Sequence, residues 1–156
     1  MNLKQLYQDI ILEHGKSPRN LGKCEGYSHE AKGYNPLCGD KVHVYLKLDN
    51  GKNVENLTFE GEGCAISLAS ASIMTELVKG KSFKDTKEIM SAFLNMIKNT
   101  SEIQSDYLNE DQKIKLMSLS GVKQFPMRVK CATLSWHTLV SAIEEKKEEV
   151  NSEAID

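Results

Sequence analysis

Residues 41–80 read KVHVYLKLDNGKNVENLTFEGEGCAISLASASIMTELVKG, and this stretch indicates how the chain folds. From Val42 to Leu48 apolar side chains alternate with polar ones, which is the period of a β-strand with one buried face. The Asn-Gly pair at residues 50–51 is typical of a tight hairpin turn. Residues 41–60 are therefore predicted to form an antiparallel hairpin.

Helical patterns lie on both sides of this hairpin. Periodicity, composition and end signals predict five helices, at residues 2–13, 64–79, 82–98, 110–118 and 131–147. A weak edge strand is expected near residues 28–32, and residues 125–130 are expected to be extended. The predicted class is α+β: a small antiparallel sheet, made of the hairpin and an edge strand, packed against several helices in a single domain.

The domain is expected to occupy residues 1–147, because 156 residues are enough for one apolar core and no linker-like stretch interrupts them. The remaining residues, 148–156, are acidic and are predicted to form a disordered tail. The formal net charge of −2 gives no basic surplus, so nucleic acid is not expected as a partner.

The first 16 residues contain charged side chains and no long apolar run. They are therefore predicted to be neither a signal peptide nor a membrane span, which leads us to expect a cytoplasmic protein without a membrane partner. In a reducing compartment, cysteines serve in metal binding or catalysis more often than in disulfides.

Three of the four cysteines, Cys38, Cys64 and Cys131, lie where an irregular segment is predicted to join a regular element. Cys64 and Cys131 are predicted to open helices, where free N–H groups favour a thiolate. Asp40 follows Cys38 closely and can offer an oxygen, whereas Cys24 has no comparable context and is interpreted as a loop thiol. Three thiolates and a carboxylate suit tetrahedral zinc, but their spacing alone favours separate buried thiols over a metal site.

Several motifs in this sequence resemble those of the U-type iron–sulfur cluster assembly proteins, the group of IscU, SufU and the NifU N-terminal domain. The motifs are HGKSPRN at 14–20, NPLCGD at 35–40, GEGCAISLASAS at 61–72 and RVKCATLSW at 128–136. The likeness extends over about residues 3–143. Their order, with a cysteine in each of the last three, identifies the chain as a member of this family.

Two features resemble the SufU branch in particular. Lys130 stands where the scaffold branch has a histidine immediately before its last cysteine, and residues 99–120 resemble the insertion of SufU proteins. The resemblance implies that Cys38, Asp40, Cys64 and Cys131 bind one Zn²⁺ ion.

The resemblance also implies a sulfur-transfer protein that works with, and stimulates, a pyridoxal-phosphate-dependent cysteine desulfurase of the SufS type, rather than a self-contained enzyme. Cys38 is the predicted acceptor of persulfide sulfur, because its glycine-flanked loop can move. Arg128 is a possible auxiliary group that steadies the site electrostatically. A downstream iron–sulfur scaffold or apo-proteins would receive the sulfur.

Two other functions use the same residues. The chain could be a scaffold on which a [2Fe–2S] or [4Fe–4S] cluster is assembled and transferred to apo-proteins, since soft thiolates suit iron–sulfur clusters as well as zinc. It could also be a purely structural zinc module. Lys130 in place of a histidine favours the sulfur acceptor, and ligands on mobile junctions argue against a merely structural site.

Overall fold

The structure is a computed structural model that describes residues 2–99 and 102–154. Within them, the helices are α1 (Leu3–Lys16), α2 (Ala65–Val78), α3 (Phe83–Lys98), α4 (Glu110–Met117) and α5 (Pro126–Ile143). The strands are β1 (His29–Asn35), β2 (Asp40–Leu48), β3 (Val54–Glu62) and β4 (Val150–Asn151). Two short 3-10 helices cover Ser120–Gln124 and Ser152–Ala154.

The sheet has the order β3-β2-β1-β4. Strands β2 and β3 form the predicted antiparallel hairpin, and β1 pairs antiparallel with β2 so that Asn35 lies opposite Asp40. Helices α2 and α5 pack on the sheet, and α1 packs on α2. The predicted α+β class is confirmed.

The core lies between the sheet and these helices. Val44 and Leu46 of β2 are completely buried, as is Trp136 of α5, whose ring lies 5.0 Å from that of Phe93. Burying one large aliphatic or aromatic side chain stabilises a fold by roughly 1.5–3 kcal/mol. Gly33 lets α5 approach β1, since a Cβ atom at this position would overlap the Thr138 hydroxyl. Strand β1, which leads into the Cys38 turn, and helix α5, which carries Cys131, are thus held in close contact.

Helix α5 begins earlier than predicted. Residues 125–130 were expected to be extended, with the helix starting at Cys131, but α5 starts at Pro126. The fixed φ angle of proline and its lack of an N–H group suit the first helical position, so Pro126 starts the helix instead of delaying it. Cys131 consequently lies in the second turn of α5, not at its N-terminus.

Strand β1 is longer than the predicted weak edge strand at 28–32, and it is not an edge. The two-residue strand β4 pairs with it in parallel, with Gly33 opposite Val150, so the sheet is mixed rather than antiparallel throughout. The prediction of a disordered tail at 148–156 is therefore wrong for residues 150–154, because backbone pairing and a buried side chain, Ser152, attach them to the domain.

Helix α1 also extends beyond its predicted end, since it ends at Lys16 and includes Gly15, which packs against Ala65 at the start of α2. Helix α4 lies inside the predicted insertion at 99–120. Residues 100–101 of that insertion and residues 155–156 of the predicted tail lie outside the described residues. No helix in the described part of the chain is long and apolar enough to cross a membrane.

Candidate metal centre

Cys38 lies in the turn between β1 and β2. The turn is closed at its base by the pairing of Asn35 with Asp40 and by the Gly39 N–H group, which donates to the Asn35 carbonyl at 2.9 Å. Gly39 has a φ angle of +72°, a left-handed conformation that glycine adopts without a steric penalty. The Cys38 side chain is half-buried at this turn, in contrast to the buried Cys131.

Asp40 starts β2 and is completely buried. Its Oδ1 accepts a hydrogen bond from the Cys64 N–H group at 2.9 Å, and its Oδ2 accepts one from Asn35 Nδ2 at 3.1 Å. Gly63 leaves room for this carboxylate, since a Cβ atom there would overlap Oδ1. No cationic side chain among the described residues forms an ion pair with Asp40.

Cys64 is the N-cap residue of α2. Its sulfur accepts a hydrogen bond from the Ser67 N–H group at 3.4 Å. The pKa of this thiol is lowered to about 6, chiefly because the Cys131 thiol donates a hydrogen bond to it and also because of the Ser67 N–H group. The prediction that Cys64 opens a helix is confirmed, and the lowered pKa agrees with the expected preference for the thiolate, although its main cause is Cys131 and not the helix N-terminus.

Cys131 is buried in α5 and has the opposite tendency. Its sulfur accepts a hydrogen bond from Asn35 Nδ2 at 3.4 Å and lies 3.6 Å from the Met127 carbonyl. Its hydrogen bond to Cys64 raises its pKa, and burial and the neighbouring side chains of Asp40 and Cys38 act in the same direction. In this pair the proton therefore resides on Cys131, and Cys64 carries the negative charge.

The four predicted ligands converge, although not equally. The ligand atoms of Cys38, Asp40 and Cys131 all lie within 4.8 Å of one another. Cys64 lies outside that group, at its border, where its thiol contacts Cys131.

The donor set fits zinc. Three sulfurs and one oxygen form a tetrahedral ligand set that zinc accepts. A buried carboxylate is costly unless a cation or several hydrogen bonds compensate its charge, and the described residues supply Asp40 with two N–H donors and the Cys131 thiol but with no cationic side chain. The cluster is thus short of positive charge.

The other residues that the sequence singled out lie apart from this cluster or beside it. Arg128 is exposed on α5, three residues before Cys131 and thus on the same side of the helix, and its side chain forms no ion pair with another described residue. Cys24 is buried elsewhere, where its sulfur accepts a hydrogen bond from Asn56 at 3.5 Å. It has the character of a structural thiol.

Three residues around the cluster were not predicted from the sequence. Asn35 donates to both Asp40 and Cys131, and Gly63 provides space for the carboxylate. Both belong to the quoted motifs, which was a signal that could have identified them. Ser152 donates to Asn35 Oδ1 at 2.8 Å from the far end of the chain, and no sequence pattern marked it.

Comparison with known proteins gives one consistent group of matches. Residues 6–151 match the family described as the NifU-like N terminal domain. The zinc-dependent sulfurtransferase SufU of Bacillus subtilis is 40% identical over 146 residues, which cover 94% of this chain and 95% of that protein. The iron–sulfur cluster assembly scaffold protein IscU of Streptococcus pyogenes is 36% identical over 141 residues, which cover 90% and 84%.

A solved structure extends this likeness to three dimensions. The crystal structure of FiSufU, a SUF-system protein from Fervidobacterium islandicum AW-1, superposes with a TM-score of 0.76 at 35% identity, covering 89% of this chain and 97% of that one.

Proposed function

Because the chain belongs to the NifU-like N-terminal domain family, and within it to the SufU type, we propose that it is a zinc-dependent acceptor of persulfide sulfur that serves iron–sulfur cluster assembly. The sulfur donor would be a pyridoxal-phosphate-dependent cysteine desulfurase of the SufS type. The observation that carries this proposal is the buried Asp40 carboxylate, which lies among cysteine thiols and has no cationic side chain among the described residues to balance it.

Cys38, Asp40, Cys64 and Cys131 are the residues that would hold the zinc ion. When bound, zinc supplies positive charge that keeps its thiol ligands deprotonated and fixes their orientation. Asp40 can serve as a ligand while it accepts its two hydrogen bonds, since a carboxylate has about four lone-pair positions. Cys64 is already biased toward the thiolate, which is the form that binds a metal.

Cys38 is the sulfur acceptor in this proposal. It is half-buried in a turn between two strands, whereas Cys131 is buried in the second turn of α5. The Cys38 thiolate attacks the outer sulfur of the donor persulfide, a new S–S bond forms at Cys38, and the S–S bond of the donor breaks. The desulfurase cysteine leaves as a thiolate, so the transfer needs no oxidant or reductant.

The surface around Cys38 suits a protein donor. Leu37 and Met127 are each 52% exposed, one next to Cys38 in sequence and the other one helical turn before Cys131. Arg128, which follows Met127 in α5 and is exposed, adds a cation. Exposed apolar side chains of this kind mark interaction sites when they lie together. We define Leu37, Met127 and Arg128 as the docking face for the desulfurase, and the same face would later present the persulfide to a scaffold or an apo-protein.

A second candidate function is that of a scaffold on which an iron–sulfur cluster is built. The observation in its favour is the similarity to proteins named as IscU scaffolds, such as the one from Streptococcus pyogenes. The same three thiols could hold such a cluster, because iron–sulfur clusters are bound by cysteine thiolates. Lys130, in place of a histidine ligand, favours the zinc-dependent acceptor.

The deciding experiment is to purify the full chain without reconstitution, measure its metal content, and assay a SufS-type desulfurase with and without it. The proposal predicts one zinc per chain and a gain in desulfurase turnover that Cys38→Ala abolishes. Cys24→Ala is the matched control and should leave the gain intact, since this buried thiol lies outside the cluster. A brown protein that contains iron and acid-labile sulfide would contradict the proposal and favour the scaffold.

A further inference from the structure

The C-terminal clasp, which we define as residues 150–154, lies against the turn that carries Cys38. Its first two residues form β4, which pairs in parallel with Gly33 and Tyr34 of β1. The next residue, Ser152, is 1% exposed, and its hydroxyl donates to Asn35 Oδ1 at 2.8 Å. A buried side chain of the clasp therefore contacts the residue at which β1 enters the cysteine turn.

Asn35 connects this serine to two of the proposed zinc ligands. Its Nδ2 group donates to Asp40 Oδ2 at 3.1 Å and to Cys131 Sγ at 3.4 Å, and all three residues are completely buried. An asparagine amide has an acceptor at one end and two donors at the other. All of these groups are used here: the Asn35 oxygen accepts from Ser152, and the Asn35 NH₂ group donates to Asp40 and to Cys131.

The Ser152 hydroxyl thereby determines which way the Asn35 amide points. If the amide were reversed, its oxygen would face the Asp40 carboxylate, and two acceptors would be in contact without a proton between them. Without the hydroxyl, Asn35 Oδ1 would be a buried acceptor lacking its donor, which is unfavourable. The serine therefore stabilises the orientation in which the amide supports both ligands.

The clasp has a second attachment, to helix α5. Glu153 Oε1 lies 3.1 Å from Nζ of Lys130, the residue before Cys131, with 42% and 30% of these side chains exposed. Exposed ion pairs of this kind contribute little to stability. We therefore assign the main effect on the site to the buried hydroxyl and not to the ion pair.

We propose that Ser152 is a positioning residue of the metal centre, which acts through Asn35 on Asp40 and Cys131. This inference rests on the proposed zinc function. It adds that the C-terminal clasp supports the site. The Ser152 hydroxyl orients the Asn35 amide, and this amide orients the Asp40 carboxylate and the Cys131 sulfur. Hydrogen-bond partners of ligands typically change metal affinity by about 10–100-fold when they are removed.

The test compares zinc affinities of full-length variants by competition with a chromophoric chelator. Ser152→Ala should weaken zinc binding about tenfold, the lower end of that range, because the serine acts on the ligands through Asn35. Ser152→Thr keeps the hydroxyl and should bind more tightly than Ser152→Val, which has the same shape without it. Comparing the Ser152→Thr and Ser152→Val variants tests the role of the hydroxyl even if Ser152→Ala folds poorly. Both substitutions enlarge the side chain in the same way, so the difference in zinc affinity between them reports on the hydroxyl.

Two further variants serve as controls. Ser141→Ala removes a buried α5 hydroxyl that has no hydrogen-bond partner among the described residues, and it should leave zinc affinity unchanged. Glu153→Ala breaks only the exposed ion pair and should change affinity by less than about threefold. Substitution of Co²⁺ for zinc adds a spectroscopic measurement, since the thiolate-to-cobalt absorption should change in Ser152→Val but not in Ser152→Thr.

The outcomes separate this inference from the proposed function. If the wild-type chain binds zinc and the Val and Thr variants bind it equally well, Ser152 has only a structural role and the inference is wrong. A lower unfolding temperature of the metal-free Ser152→Ala protein, together with an unchanged zinc affinity, would also contradict the inference. A wild-type chain that binds no zinc would overturn the proposed function and the inference together.

Discussion

At the scale of single residues, the environment of Asp40 is the feature that demands most explanation. A completely buried carboxylate normally has a cationic partner, and Asp40 has none among the described residues, where its hydrogen-bond donors are the N–H groups of Asn35 and Cys64 and the Cys131 thiol. Those bonds orient the side chain toward Cys38 and Cys131. The charge and the orientation together suit a bound cation.

Gly63 provides a test of this arrangement. Gly63→Ala should weaken zinc binding at least about tenfold, because the new Cβ atom would overlap Asp40 Oδ1 and displace the carboxylate from its hydrogen bonds. The measurement is zinc affinity by chelator competition, together with thermal unfolding of the metal-free protein. Gly80→Ala is the matched control.

Both glycines have a positive φ angle, +147° at Gly63 and +89° at Gly80, so both variants should lose stability of about 1 kcal/mol from backbone strain. A Cβ atom at Gly80 would have no atom within 4 Å, so its zinc affinity should remain that of the wild type. Equal zinc affinities in the two variants would show that the position of the carboxylate does not matter for metal binding.

The proposed ligands could be identified from the sequence because each lies in a short motif. Their supporting residues could not all be identified in this way. Asn35 opens one of the motifs, but its contact with Cys131 spans 96 residues, and that of Ser152 with Asn35 spans 117. A single sequence contains no local pattern from which such a distant pairing of polar side chains follows.

At the scale of elements, the hairpin and the helices were predictable where a regular period or a cap was present. Alternation predicted β2, and Ser82, which precedes Asp85 by three residues as in an N-terminal cap, was one of the end signals that predicted α3; the Ser82 side chain does accept from the Asp85 N–H group. The start of α5 was not predicted, because a proline such as Pro126 can have two opposite effects. It breaks a helix when it lies in the interior, but it is favoured at the first helical position. Only the packing of the following residues distinguishes these cases.

The packing of α1 on α2 should depend on pH. His14 of α1 is buried, with Nδ1 2.7 Å from the Ser72 hydroxyl and Nε2 3.6 Å from Glu76. Burial lowers the pKa of His14, and the positive charges of Arg19 and Lys115 lower it further, against the effect of Glu76. The imidazole is therefore neutral in the folded protein near pH 7.

The sign of the effect follows from linkage. The folded protein binds a proton at His14 less readily than the unfolded chain, whose histidine pKa is about 6.5. The free energy of unfolding should be highest above that value and fall as the pH decreases through the lower, folded-state pKa. Urea unfolding of the metal-free protein at pH 7.5 and at pH 5 measures this difference, and His14→Gln should reduce it.

His137 of α5 has a pKa lowered by burial as well, so each single variant should remove only part of the pH dependence. The double variant, with His14→Gln and His137→Gln, should have a smaller pH dependence than either. Stability that rises between pH 7.5 and pH 5 in the wild type would contradict the assignment of a neutral, buried His14.

At the scale of the whole molecule, the turn between β1 and β2, the start of α2 and the second turn of α5 meet at one side of the fold. The order of strands that brings them together, and the return of the chain end as β4, could not be predicted from periodicity. A two-residue strand has too few positions to show a pattern. It pairs with the edge of β1 that β2 leaves free, far from it in the sequence.

The docking face can be tested on the intact protein. Met127→Glu should raise the concentration of this protein that half-saturates the desulfurase about tenfold, because a charge would replace an exposed apolar contact. Zinc content should not change, since the Met127 side chain is exposed. Leu3→Glu is the matched control: Leu3 is 59% exposed but lies at the start of α1, while the other end of that helix contacts α2 beside Cys64.

Leu3→Glu should leave the half-saturating concentration unchanged, since about 12 residues of helix, or roughly 18 Å, separate Leu3 from that contact. Equal effects of the two glutamates would indicate a general loss of affinity caused by negative charge. In that case the desulfurase does not bind at the docking face.

The measurement that tests the metal centre most directly is zinc K-edge X-ray absorption on the protein as purified. We predict a four-coordinate ion with three sulfur neighbours at about 2.3 Å and one oxygen neighbour at about 2.0 Å, supplied by Cys38, Cys64, Cys131 and Asp40. A first shell with one sulfur or none, or a protein without zinc, would contradict the convergence of these four side chains on a single ion.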